Sequence, residues 1–117
     1  MTFLLILHDL SAVALLGALT HQCVALLRRS ARQPDSFLRR YASVSSRAFT
    51  RAVVVLYVGV VVLGAILYPT YRTDARVEFE EMSMFWAVGC FELKEHFAAL
   101  GLAMLPAYLQ GWRTLDG

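Results

Sequence analysis

The chain has 117 residues, 58% of them apolar, with a mean hydropathy of +0.55 and a net charge of only +2. That length bounds it to a single unit, read as one transmembrane helical domain over 1–117. The small charge and the lack of an aromatic-plus-basic stripe exclude a nucleic-acid partner. The lack of a Gly-rich phosphate loop, G-x-S-x-G or H-E-x-x-H leaves no nucleotide or hydrolase signature, and no catalysis is assigned.

The first apolar run, Phe3 to Leu27, is long enough for a bilayer core of about 30 Å, which needs about 20 helical residues. No Lys or Arg precedes it, no small-residue cleavage site follows it, and THQC around Cys23 is not a lipoprotein signal. It reads as a retained helix over about 3–27.

The connection from Arg28 to Arg51 carries seven Arg against one acid, Asp35. Asp35 or Ser36 suits a helix cap. Beyond it Phe37, Tyr41, Val44 and Ala48 fall on one face, with Arg39, Arg40, Arg47 and Arg51 on another. This pattern suits an amphipathic interfacial helix over about 36–50, lying on anionic headgroups. The same charges also serve as a plain topology signal. The second span, about 52–68, reads AVVVLYVGVVVLGAILY without a charge, and Pro69 is expected to end it.

The third segment, about 83–111, is two apolar stretches parted by Glu92, Leu93, Lys94, Glu95 and His96. Trp86 and Trp112 suit interfacial anchors, and Pro106 suits a bend. An amphipathic helix up to His96 followed by a re-entrant piece is the alternative. With three spans the fold class is an all-α membrane helical bundle. The connection from Pro69 to Met82 holds two Arg and four acids, so the positive-inside rule puts 28–51 and the C-terminus in the cytoplasm and the N-terminus outside a bacterial inner membrane. Cys23 and Cys90 then lie near opposite faces, so no disulfide is expected and both read as small packing residues.

A polar cluster falls at one depth. The helical rise puts His8 and Asp9 of the first span, and Glu92, Lys94, Glu95 and His96 of the third, within about 10 Å of the bilayer midplane on its outer side. Tyr68, Tyr71 and Arg72 lie just above. Glu92, Glu95 and His96 share a face, while Lys94 points about 200° from Glu92. His8, Ser11, Leu15, Ala18 and Gln22 form a heptad-like seam whose small members would admit a neighbouring helix.

An unpaired charge in hydrocarbon costs at least about 2.5 kcal/mol, so these groups must be paired, protonated, hydrated or ligated. Three readings follow. In the first, His8, Glu92, Glu95 and His96 hold Cu, Fe or Zn, or His8 and His96 clamp haem b axially, within a redox or electron-transfer assembly. Asp9, Arg72 and Lys94 then balance charge, with Lys94 paired to Asp9 and Glu92 to Arg72. In the second, the acids and His96 carry protons or ions. In the third, the polar groups join helices within a larger complex, and the chain is an accessory subunit without a cofactor. Besides the lipid bilayer, other membrane subunits or further copies of the chain are the expected partners. Tyr57 in the second span reads as a local hydrogen-bonding residue, and His21 as packing.

HDLSAVALLGALTHQ from His8, YPTYR from Tyr68 and FELKEHFA from Phe91 together resemble an uncharacterised family of small bacterial inner-membrane proteins. Its members carry a further C-terminal helix with a His near its end. The resemblance therefore implies that a partner histidine is missing from these residues, leaving a one-chain haem site incomplete. The early-helix His followed by a Gly-containing apolar run is also similar to small helical membrane protoporphyrinogen oxidases and copper-resistance membrane proteins.

Overall fold

The computed structural model describes residues 1–29 and 46–115, and everything within them except Met1 and the turn Met82–Met84 is helical. The first helix, α1, spans Thr2–Arg29. The second, α2, spans Ser46–Thr70 and passes through a π-helical turn, Tyr71–Ala75, into a short α3, Arg76–Glu81. The last, α4, spans Phe85–Leu115. Of the expected interfacial helix over 36–50, the part before Ser46 lies outside the described residues; from Ser46 the chain is already α2.

Pro69 does not end the second helix. It lacks an N–H and its ring crowds the carbonyl four residues back, yet the helix continues to Glu81. The π turn accommodates it. Arg76 N–H donates to the Tyr71 carbonyl, five residues back, so one extra residue enters the ladder. The single Thr73 hydroxyl hydrogen has three acceptors in reach, Asp74 Oδ1 at 2.8 Å, the Pro69 carbonyl at 3.1 Å and the Thr70 carbonyl at 3.3 Å. The rod from Ser46 to Glu81 is thus about 54 Å long on the helical rise, well beyond the span expected from its apolar run.

Three hydrogen bonds close the hairpin to α4. Met84 N–H donates to Phe79 O and Ser83 N–H to Glu80 O, while Met82 N–H donates to Glu78 O. The first two make a Schellman stop, with Ser83 in the left-handed position at φ 57°. α4 then runs antiparallel to α2, continuing through Pro106.

α2 packs against both α1 and α4. The faces turned inward recur every three or four residues, as helices packed at a shallow angle require. On α1 these are His8, Ser11, Leu15, Ala18 and Gln22, the seam expected from sequence. Very little else is buried. The apolar core is Leu15, Val53, Val88 and Trp112, whereas Phe3, Leu10, Val13, Leu16, Val55, Phe97, Leu100 and Met104 are exposed. Removing a large apolar side chain from water is worth about 1.5–3 kcal/mol, so an outer surface of this kind calls for an apolar medium. Two stretches, Thr2–Leu27 and Phe49–Glu81, are long and apolar enough to cross a membrane. α4, with Glu92, Lys94, Glu95 and Arg113 along it, is not one of them.

Candidate functional site

At the hairpin end, the π turn and the first half of α4 build a cluster. The Tyr71 ring stacks on Phe91, centroids 3.6 Å apart and planes 12° from parallel, and Tyr68 lies 6.3 Å from Tyr71. Lys94 Nζ rests 4.1 Å over the other ring partner, Phe91, a cation–π arrangement. Arg76 donates to Glu80 at 2.8 Å and lies 3.5 Å from Glu92. The Tyr71 hydroxyl is buried without a hydrogen-bond partner, within the fields of Arg76, Glu92 and Glu95.

These contacts correct the sequence-derived pairing. Glu92 takes Arg76, not Arg72, which is exposed. The cause is the continuation of the helix past Pro69: with the second span expected to end there, Arg72 is the nearest arginine, whereas the π turn carries the helix on and brings Arg76 beside Glu92. Lys94 takes the Phe91 face rather than Asp9, and among the described residues it makes no ion pair. Asp9 is itself exposed on α1.

Depth and direction separate the two candidate histidines. Tyr108 Oη donates to Gln22 Oε1 at 2.6 Å, which fixes the relative height of α1 and α4. About four turns back along both helices lie His8 and Lys94, at similar heights along the two helices. Directions diverge, however. His8 turns into the α1–α2 seam, where its Cε1 would lie 3.4 Å from a Cβ placed on Gly64, and its Nδ1 is buried without a partner. His96 is exposed on the outer face of α4, its Nδ1 2.7 Å from the Glu92 carbonyl of its own helix. An Nδ1–H donated there leaves the Nε2 lone pair directed away from the bundle. Glu92 is exposed on the same face, and Glu95 is half-buried toward α2. Among the described residues no group of three or more His, Cys, Asp or Glu gathers as a metal-ligand set.

Sequence reasoning passed over the opposite end, where the packing is tightest. His21, Gln22, Thr50, Val53 and Trp112 are all buried. Tyr108 hydrogen-bonds Gln22 and is also within hydrogen-bonding reach of Thr50 and Trp112. His21 packs against Phe49 with centroids 5.4 Å apart. Trp112 is therefore a buried member of this knot, not an exposed interfacial anchor, whereas Trp86 is exposed. Extending the inward seam of α4 in steps of three and four to Tyr108 and Trp112 would have flagged them.

Tyr57 is likewise not local. Its hydroxyl donates to the Ala98 carbonyl of α4 at 3.0 Å, and its ring covers Gly101, where any Cβ would collide with it. Cys23 and Cys90 are free thiols, both exposed rather than packed.

Comparison with protein-family models, curated proteins and solved structures finds no match for this chain. What fold and site define is a class: an all-helical protein with two helices fit to cross a membrane and a charged, histidine-bearing face on a third.

Proposed function

We propose that this chain is a three-span subunit of a larger assembly in the bacterial inner membrane, with α4 as the helix that meets its partner. The carrying observation is that α4 stays level with α2 along its whole length. Tyr71–Phe91 joins them at the hairpin end, Tyr57–Ala98 in the middle, and Tyr108–Gln22 ties α4 to α1 at the far end. If α1 and α2 cross a bilayer, α4 crosses with them. Glu92 and His96 on one flank and Lys94 on the other then stand exposed in its outer half. Bare lipid tolerates such groups at a cost of at least about 2.5 kcal/mol each on insertion scales, so another protein surface covers them. The N-terminus and the hairpin face outward, and the Arg-rich connection and C-terminus face the cytoplasm.

One observation favours a ligand role within that assembly. The His96 tautomer set by the Glu92 carbonyl is the one a metal or haem iron takes at Nε2, with the backbone bond orienting the ring. His96 is the ligand candidate, Glu92 its neighbour one turn away. His8, turned into the α1–α2 seam, serves as a helix-packing group in this reading.

The test uses the full chain with Cys23→Ser and Cys90→Ser, in native membranes. Leu100→Cys should resist a membrane-impermeant maleimide until detergent is added, while Asp74→Cys should label in intact membranes. After gentle solubilisation the chain should migrate above its monomer mass. Aqueous labelling of Leu100→Cys, or a lone monomer in lipid, overturns the reading.

A further inference from the structure

The outer face of α4 has its own periodicity. Gly89, Glu92, His96, Ala99, Ala103 and Gln110 are all exposed and follow one another in steps of three and four, apart from the gap at Pro106, which is also exposed and keeps the step. This is a heptad seam on a flank of α4 that α2 leaves uncovered, about 100° round from Phe91 and Glu95 at the level of Glu92 and His96 and turned fully away from Tyr108 at the level of Gln110. Its centre is small, so a second backbone can approach closely at Ala99 and Ala103. Its ends are polar, and those polar groups are the ones a copy of the same seam satisfies. Copies inserted in one membrane orientation and related by a two-fold axis along the membrane normal place like depth against like depth. Gln110 carries both a donor and an acceptor, so two facing Gln110 amides complete each other. Glu92 and His96 lie one turn apart on the same face, so each carboxylate is set diagonally against the other copy's imidazole.

That juxtaposition gathers two imidazoles and two carboxylates within about one helical turn of depth. The His96 Nδ1 is committed to the Glu92 carbonyl at 2.7 Å, leaving Nε2 as the outward donor. Arg76 touches only one Glu92 oxygen, and at 3.5 Å, while its short bond goes to Glu80. The second Glu92 oxygen remains available, with the guanidinium behind it as an orienting charge. Two nitrogen and two oxygen donors around one point suit a four-coordinate divalent transition metal.

We propose that two copies of this chain pair along the outer seam of α4 and bind one divalent transition-metal ion between their Glu92 and His96 side chains. This rests on α4 spanning the membrane, as set out above, and names the partner and the ligand. It also accounts for one chain offering fewer than three gathered ligands.

The experiment uses the full chain, purified without a polyhistidine tag and lacking Cys23 and Cys90, in nanodiscs. Under oxidation Ala99→Cys and Ala103→Cys should form disulfide-linked dimers, and Leu102→Cys, off the seam, should not. Titration with Co2+ alone should give visible ligand-field bands saturating at one ion per two chains. His96→Ala should weaken Co2+ binding by at least tenfold and Glu92→Gln by a smaller factor, with both variants keeping the helical circular dichroism of the parent. One ion per chain, binding indifferent to His96→Ala, or cross-linking that ignores the seam overturns the proposal. Seam cross-links to a different protein overturn it while leaving the subunit reading standing; a monomer with no partner overturns both.

Discussion

Gly101 and Tyr57 form the tightest contact between α2 and α4, and it is made by absence as much as presence. The phenol lies where a side chain on residue 101 would be, with its hydroxyl on the Ala98 carbonyl. Gly101→Ala should therefore lower the thermal midpoint in detergent, by forcing the Tyr57 ring off α4, and Tyr57→Phe should cost about 1 kcal/mol for the lost bond. The two sites should couple: in a Tyr57→Ala background Gly101→Ala should be close to neutral, since the obstacle is gone. Equal costs in both backgrounds would refute the contact. Tyr108 offers a parallel case at the far end. Because Gln22 is buried, Tyr108→Phe should lower the unfolding free energy by about 1 kcal/mol or more. The Tyr108 position follows from the periodicity of α4, but the Tyr57 contact was not legible from composition or periodicity. A tyrosine in an apolar run signals only that its hydroxyl needs an acceptor, and for Tyr57 the acceptor is a backbone carbonyl far along the chain, which no residue type advertises.

The helices themselves were legible, because apolar runs long enough to cross a bilayer leave few alternatives; their ends were not. Pro69 reads as a stop, yet the π turn carries the helix past it for three more turns. The actual stop is at Ser83, a residue without the glycine signal that usually marks a left-handed cap. Because φ is 57° there and Schellman bonds surround it, Ser83→Gly should stabilise the hairpin by about 0.5–1 kcal/mol through relief of the Cβ clash. Ser83→Val should lower stability, since a β-branched residue tolerates that conformation worst. Chemical denaturation in mild detergent, read by Trp86 fluorescence near the turn, separates the two. The π turn also explains why the charged site was only half legible. Its members Glu92, Lys94 and His96 could be found by their expense in an apolar segment, but the neighbour Arg76 depended on a helix that runs on past Pro69, which a proline does not announce. Arg76→Ala, which removes the partner of both Glu80 and Glu92, should therefore lower the thermal midpoint in detergent, whereas Arg72→Ala should leave it as it was.

Across the whole molecule, the proposed third crossing rests on contacts rather than on hydropathy. α4 fails a hydropathy criterion because four ionisable residues crowd its first half, yet its two ends are held against the ends of helices that pass it. Tyr108 and Trp112 meet Gln22 and Thr50, which are the C-terminal end of α1 and the N-terminal end of α2. Phe91 meets Tyr71 where the other end of α2 leaves its apolar stretch. In the three-span reading proposed above, the chain's last described residues lie on the same side as the Arg-rich connection. A reporter fused after Leu115 should fluoresce as a cytoplasmic fusion and give no periplasmic phosphatase activity, and one inserted at Met82 should do the reverse. If α4 instead lay along the outer surface, both sites would report the periplasm, and the contacts tying Tyr108 and Trp112 to the far end would have to be broken to let it. Tyr108→Ala combined with Trp112→Ala provides the decisive contrast. Should the Leu115 fusion stay cytoplasmic in that variant, insertion is driven by the apolar stretch from Phe97 to Leu109 itself; should it move outward, the knot at the far end is what draws Glu92, Lys94 and His96 into the bilayer.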